Sequence, residues 1–295
     1  MINDDPTWPR ATSLLVSPSE SRVDDVGLLG GHTYRTSVTP RSSLSTPRAV
    51  REALRYYSTW NYADELDLVA GAKLVDYGDV VDADADDSDW SSLRHSHPLW
   101  ILLGGDNALT WRALSVLAGS NLSEWGLLTL DAHHDLRDGR SNGSPVRQLL
   151  DAGLDPAHVV QVGIADFANS SYYADRARRS GIRVITRGTL SEGSLENVVA
   201  SALAELSSKV RHIYVDVDLD VMDRTVVPGC PAAVPGGLSV VDVRRAVRLA
   251  ANHHLVSAVD FTEVDVERDA PDGRTVRTVA LLLLEALSGY QRRTP

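Results

Sequence analysis

Eight stretches of the chain are apolar runs rich in Val, Leu and Ile: DDVGLLGG (24–31), KLVDYGDV (73–80), LWILLGGD (99–106), WGLLTLDA (125–132), HVVQVGIA (158–165), IRVITR (182–187), HIYVDVDLD (212–220) and LVSAVDFTEVD (255–265). Several are nearly continuous rather than alternating. A strand that is apolar on both faces is buried on both, which places it in a parallel sheet covered by helices. Segments of helical period lie between these runs. TPRAVREALRYYSTW (46–60) opens with Thr46 as an N-cap and Pro47 in the first turn. SLENVVASALAELSS (194–208), SVVDVRRAVRLAANHH (239–254) and DGRTVRTVALLLLEALSGY (272–290) repeat apolar residues at helical spacing. Strand and helix in alternation predict a three-layer α/β/α fold around a mostly parallel central sheet of about eight strands. No internal repeat and no long Gly/Ser/Pro linker interrupts the pattern. All 295 residues therefore read as a single domain, with loose ends at about 1–20 and 291–295.

Composition narrows the partners. The chain carries 29 Lys and Arg against 40 Asp and Glu, a net charge of −11. No basic stripe is available to neutralise phosphates, so nucleic acid is not an expected partner. The longest apolar run, VALLLLEAL (279–287), is too short to span a membrane and contains Glu285, so no membrane association is expected. Cys230 is the one cysteine, which excludes a disulfide framework and a thiolate zinc site and fits a reduced, cytoplasmic compartment.

The acids that end the apolar runs change the picture most. Ligands gather at the carboxyl ends of strands in open α/β sheets. Here those ends carry Asp106, then Asp131, His133 and Asp135, then the run Asp216, Asp218 and Asp220, and finally Glu263. Residues two apart on an extended strand project from one face, so each group can converge. Carboxylates crowded in an interior repel one another and resist desolvation unless a cation neutralises them. Carboxylate oxygens with one imidazole suit manganese better than calcium.

GGDNALT, LDAHHDLRD, DVDLDVMD and FTEVDVERD, in that order, resemble the arginase/agmatinase/formimidoylglutamase (ureohydrolase) family. LSTPRAVREAL and LVDYGDV are similar to further family motifs, so the resemblance spans most of the chain. It implies an arginase-like α/β/α fold and a site for two Mn2+ ions. By position it makes Asp131 and Asp218 bridging ligands, Asn107 and Asp135 ligands of the first ion, His133 a ligand of the second, and Asp220 a terminal ligand. Asp223 would support the ligands from behind, and Glu263 would hold the amidine or guanidine group of a small-molecule substrate. Asp135 would also carry a proton to the leaving amine. His134 fills a variable position and is expected to face away.

Two residues depart from the usual family pattern. Asn107 stands where a histidine ligand is common, so weaker occupancy of the first metal position is expected. Asn142, in SNGSP, stands where arginase and agmatinase place a proton-relaying histidine, and an amide cannot relay protons near neutral pH. NGSPVRQLL is similar to the formimidoylglutamase version of this loop. The implied reaction is therefore hydrolysis of formimidoylglutamate to glutamate and formamide, with Asn142 at the substrate. Alternatives are a guanidine hydrolase that releases urea, of the agmatinase or guanidinobutyrase type, and a catalytically weakened binding or assembly protein. A dicarboxylate substrate needs cationic anchors. Arg137, Arg140 and Arg147 surround the loop, and Arg140 is the preferred one. The resemblance also implies a homo-oligomer, trimer or hexamer.

Overall fold

The computed structural model describes residues 5–40, 45–190 and 194–294. Its strands are β1 (Leu15–Val16), β2 (Val26–Gly31), β3 (Trp60–Asn61), β4 (Leu66–Asp67), β5 (Leu74–Val80), β6 (Trp100–Gly104), β7 (Trp125–Leu130), β8 (Val159–Ile164), β9 (Arg183–Thr186), β10 (His212–Asp218) and β11 (Val256–Thr262). Nine of them form one sheet in the order β1-β5-β2-β6-β11-β10-β7-β8-β9, and β3 pairs with β4 in a separate ribbon. Every pairing in the large sheet is parallel. All eight apolar runs are strands of this sheet. The ninth, β1, is only two residues long and extends the edge beside β5.

The α-helices are α1 (Thr46–Ala53), α2 (Ala108–Ala118), α3 (Pro145–Asp151), α4 (Ser171–Ser180), α5 (Arg187–Leu190), α6 (Leu195–Ser207), α7 (Val240–Asn252) and α8 (Arg274–Gln291). Successive strand residues point to opposite faces, and the core divides accordingly. Ile101, Leu128, Val215 and Val259 pack with Val50 of α1, Leu203 of α6, Val247 of α7 and Leu283 of α8. Leu102, Leu127 and Tyr214 pack with Leu109 of α2, Leu149 of α3 and Ala177 of α4. Three layers result, as the alternating pattern implies. Ser239 caps α7 through its side chain, which accepts the Asp242 N–H. The helix expected over 46–60 ends at Ala53 and tightens into a 3₁₀ turn over Leu54–Tyr56.

The ends are less loose than expected. Ala11 and Leu14 are fully buried and lead directly into β1, so the described N-terminal segment is packed well before residue 20. At the other end Gln291 donates to the carbonyls of Leu68 and Ala72. The Arg293 guanidinium donates to the carbonyls of Ala251 at 2.8 Å and Val256 at 2.6 Å. These contacts hold residues 11–14 and 291–293 to the body. Among the described residues no helix is long and apolar enough to cross a membrane.

The sheet order positions the site. β6, β11, β10 and β7 are consecutive central strands, and their carboxyl ends deliver Asn107, Glu263, Asp218 and Asp131 side by side. Registration supports this, because Phe261 lies opposite Leu103, Asp218 opposite Thr262, and Val217 opposite Leu130.

Candidate active site

Asp131 follows β7 directly and is fully buried. Its Oδ1 accepts the His133 N–H at 2.7 Å, while Oδ2 has no hydrogen-bond partner. His133 Nδ1 lies 2.7 Å from Asp220 Oδ2. Asp131, His133 and Asp220 offer ligand atoms that all lie within 4.8 Å of one another. Asp220 sits in a 3₁₀ turn (Leu219–Val221) closing β10, where Asp218 Oδ1 accepts the Asp220 N–H at 2.9 Å. Gly163 makes room for this turn, since a Cβ there would meet Val221 Cγ2 at 2.4 Å.

Asp135 and Glu263 are non-glycine residues with positive φ, 51° and 61°. Such backbone is costly for an L-residue and persists where surrounding contacts over-determine it. The turn at Asp135 ends the extended segment but still brings its carboxylate inward. Asn107 joins it to β10, donating Nδ2–H to Asp135 Oδ2 at 2.7 Å and to Asp218 Oδ2 at 3.3 Å. Thr110 Oγ1 lies 2.7 Å from Asn107 Oδ1. The amide therefore presents its nitrogen, not its oxygen, to the acids.

Glu263 closes the other side. Its Oε1 accepts the backbone N–H of Asn107 at 3.0 Å and the Nδ2–H of Asn142 at 2.7 Å. Asn142 Oδ1 in turn accepts the Val38 N–H at 2.8 Å, tying the 33–40 loop to the site.

The electrostatics of the cluster favour a cation. Burial, then the neighbouring carboxylates Asp135 and Asp220, raise Asp131 well above the ordinary carboxylate range. Burial and then Asp220 do the same to Asp218. Burial chiefly pushes Asp135 to about 8. Asp220 goes the other way: burial opposes its charge, but His133 holds it low. His133 is driven up to about 9, because the Asp220 carboxylate outweighs the burial that would lower it. Several acids around one imidazole, with an orphaned buried oxygen on Asp131, form a donor set that a divalent cation satisfies.

A cleft of about 310 Å3 opens above this floor, lined in part by His133, Asp135, Glu263, Asn142, Tyr173 and Arg137. Three expectations are corrected here. Arg140 does not reach the cleft; it pairs with Asp86 at 2.6 Å and donates to the Asp84 carbonyl. The turn at Gly139, with φ 82°, precedes it and directs the chain away. Arg147 is likewise taken, by Asp138 and Asp151. Asp223 does not support the ligands; it fastens its own loop through the N–H groups of Thr225 and Gly236. Arg137 does line the cleft, and among the described residues its guanidinium has no ion pair. Its stem lies across Gly143, where a Cβ would come 2.8 Å from Arg137 Cδ.

Several neighbours carry no sequence signal. Asn169 accepts the His134 N–H and donates to the Ala132 carbonyl, clamping the DAHHD segment from α4's approach. The His134 ring pairs with Gln161 at 2.8 Å, and burial lowers its pKa. Arg187 donates to the carbonyls of Asp220 and Val221 behind the cluster. Asp260 gathers Thr110 Oγ1 and Tyr214 Oη, each at 2.7 Å. Only the alternation of strands β10 and β11 hints at that last pairing.

The sequence matches the arginase family model over residues 24–289. The chain belongs to the arginase family. This arginase-family chain is 33% identical to the formimidoylglutamase of Halalkalibacterium halodurans over 91% of its length and 88% of that protein. It is 32% identical to the formimidoylglutamase of Bacillus subtilis over 96% of its length and 92% of that protein. The crystal structure of the Bacillus subtilis enzyme superimposes with a TM-score of 0.89, covering 100% of this chain and 96% of that one at 27% identity. A Trypanosoma cruzi formiminoglutamase solved with Mn2+ shares the fold, with a TM-score of 0.81 at 21% identity over 97% of this chain and 100% of that one.

Proposed function

We propose that the chain hydrolyses formimidoylglutamate to glutamate and formamide in the cleft above the β6-β11-β10-β7 strand ends. The observation that carries this is the polarity of the cleft: buried carboxylates and Glu263 at the floor, and the cationic residue Arg137 on the lining. A substrate with a cationic amidine at one end and carboxylates at the other matches both. The formimidoylglutamase relatives support the same substrate.

Asp131, His133 and Asp220 would hold one Mn2+, with Asp218 adjoining. The Trypanosoma structure supports the choice of manganese. A second ion would lie among Asp131, Asp135, Asp218 and Asn107, where the amide must present its oxygen. Manganese bound there lowers the pKa of water and neutralises the crowded carboxylates. The chain's own groups do the rest. Glu263 holds the cationic nitrogens of the amidine by charge-assisted hydrogen bonds, so that its trigonal carbon faces the attacking water. The Asp135 carboxylate takes a proton from that water and returns it to the departing amine nitrogen. The C–N bond to the glutamate nitrogen breaks, and formamide keeps the other nitrogen. Asn142 supplies no proton, and none of these steps needs one from it.

The deciding experiment supplies manganese-loaded protein with formimidoylglutamate and a panel of guanidines, assaying formamide and urea separately. Formamide without urea is expected. Urea from a guanidine, or no product from any substrate, would overturn the reading. Arg137 replaces Arg140 as the proposed carboxylate anchor. Arg137→Ala should raise KM for formimidoylglutamate by about tenfold or more while kcat changes little, as for loss of a charge-assisted bond made equally in ground and transition states. Steady-state kinetics check this, and an unchanged KM would remove Arg137 from the role.

A further inference from the structure

We infer that Asn142 sets specificity by occupying one oxygen of Glu263, so that the carboxylate receives a formimidoyl group rather than the paired nitrogens of a guanidine. This deepens the proposed formimidoylglutamate reading and rests on Glu263 being the amidine-binding group.

The geometry is specific. Glu263 Oε1 already accepts two N–H bonds, from the Asn107 backbone at 3.0 Å and from Asn142 Nδ2 at 2.7 Å. A carboxylate oxygen has two lone-pair sites, so these two donors use its capacity. The two donors differ in origin. The Asn107 N–H comes from the main chain at the start of α2 and is independent of side-chain identity. The Asn142 amide is a side-chain choice, and it is held in place from behind. Its Oδ1 accepts the Val38 N–H at 2.8 Å, which fixes which end of the amide faces Glu263. The positive φ of Glu263 further restricts how that carboxylate can turn.

The substrates differ in one group. A guanidinium carries two terminal nitrogens that fit a carboxylate as a two-pronged fork. A formimidoyl group has a C–H in place of one of them. With Oε1 committed to Asn107 and Asn142, a fork finds one prong without an acceptor in a desolvated site. An unpaired buried donor is costly, and discrimination of this kind exceeds what shape alone provides. A formimidoyl group has no second terminal prong to leave unpaired. Asn142 thus acts on the reaction through Glu263, as a positioning residue.

The test compares two substrates that share both carboxylates, formimidoylglutamate and its guanidino analogue, on manganese-loaded wild-type, Asn142→Ala and Asn142→Asp proteins. The ratio of kcat/KM values, formimidoyl over guanidino, should fall by about tenfold or more in Asn142→Ala, the scale of one hydrogen bond to a charged group. Asn142→Asp keeps an acceptor for the Val38 N–H but turns a carboxylate toward Oε1. It should lose activity on both substrates and melt lower than wild type, because two facing carboxylates repel. Calorimetric binding of N-methylformamidinium and N-methylguanidinium ions, with one and two terminal nitrogens, gives the same comparison without turnover; N-methylguanidinium should gain relative to N-methylformamidinium in Asn142→Ala. Equal fractional losses on both substrates, with no relative gain of N-methylguanidinium, would overturn the role of Asn142. The wild-type product assay judges the parent reading separately, and the ion-binding ratio stands even where turnover is absent.

Discussion

Asp131→Asn is expected to abolish turnover, by about a thousandfold or more, equivalent to about 4 kcal/mol of transition-state stabilisation. The substitution preserves shape and removes charge. Asp131 is fully buried, with Oδ1 fixed by the His133 N–H and Oδ2 without a partner. That orphaned oxygen costs free energy in the metal-free protein, as does its repulsion from Asp135 and Asp220. The cost is reasonable only if a cation recovers it on binding. An amide in its place removes a negative ligand from the cluster and brings an N–H against neighbouring acids. Two measurements separate this from simple misfolding. Manganese content should fall, and the metal-free variant should melt at or above the wild-type temperature, because a buried carboxylate raised in pKa destabilises the fold once pH exceeds its unfolded value. Wild-type manganese stoichiometry with unimpaired kcat would contradict a ligand role for Asp131.

The sheet and the acidic cluster were legible for the same reason. Burial on both faces forces continuous apolar runs, and period-two spacing forces Asp131 and His133 onto one face where the strand ends. The eight runs therefore mark the eight longer strands of the sheet. β1 escapes because Leu15 and Val16 are too short a signal, although the pairing with β5 buries the segment before them. The side-chain partners were less legible, because they depend on where loops turn. Arg137 and Arg140 are three residues apart on the same loop. Gly139 between them adopts φ 82°, and the two residues end in different surroundings: Arg137 lines the cleft and Arg140 pairs with Asp86. Asp223 shows the same limit. Its spacing from Asp220 fits a family motif, yet its carboxylate is spent on Thr225 and Gly236 within its own loop. Spacing along a strand carries direction; spacing across a turn does not.

Asn107→His is expected to raise manganese affinity at the first position by about ten- to a hundredfold, a scale set by single contacts around bound metals. The reason lies in how the amide is held. Its nitrogen donates to Asp135 and Asp218, and its oxygen meets Thr110. Asn107 thus lies between two buried acids and is joined to both by its nitrogen. Coordination through Oδ1 requires the amide to turn over, giving up those two donor bonds and the Thr110 contact together. Neutral imidazole brings a better donor for manganese and needs no such exchange. Thr110 keeps an acceptor either way, because Asp260 Oδ2 lies 2.7 Å from its hydroxyl. The variant also carries a cost. Asn107 is 1% exposed, and a larger ring in that space strains its neighbours by about 1–3 kcal/mol. The metal-free variant should therefore melt lower than wild type, and the manganese-loaded variant should recover or exceed it. Metal titration followed by thermal unfolding reads both signs in one series. Unchanged manganese affinity, with only the loss of stability, would show that position 107 faces no metal and that its amide serves to separate Asp135 from Asp218.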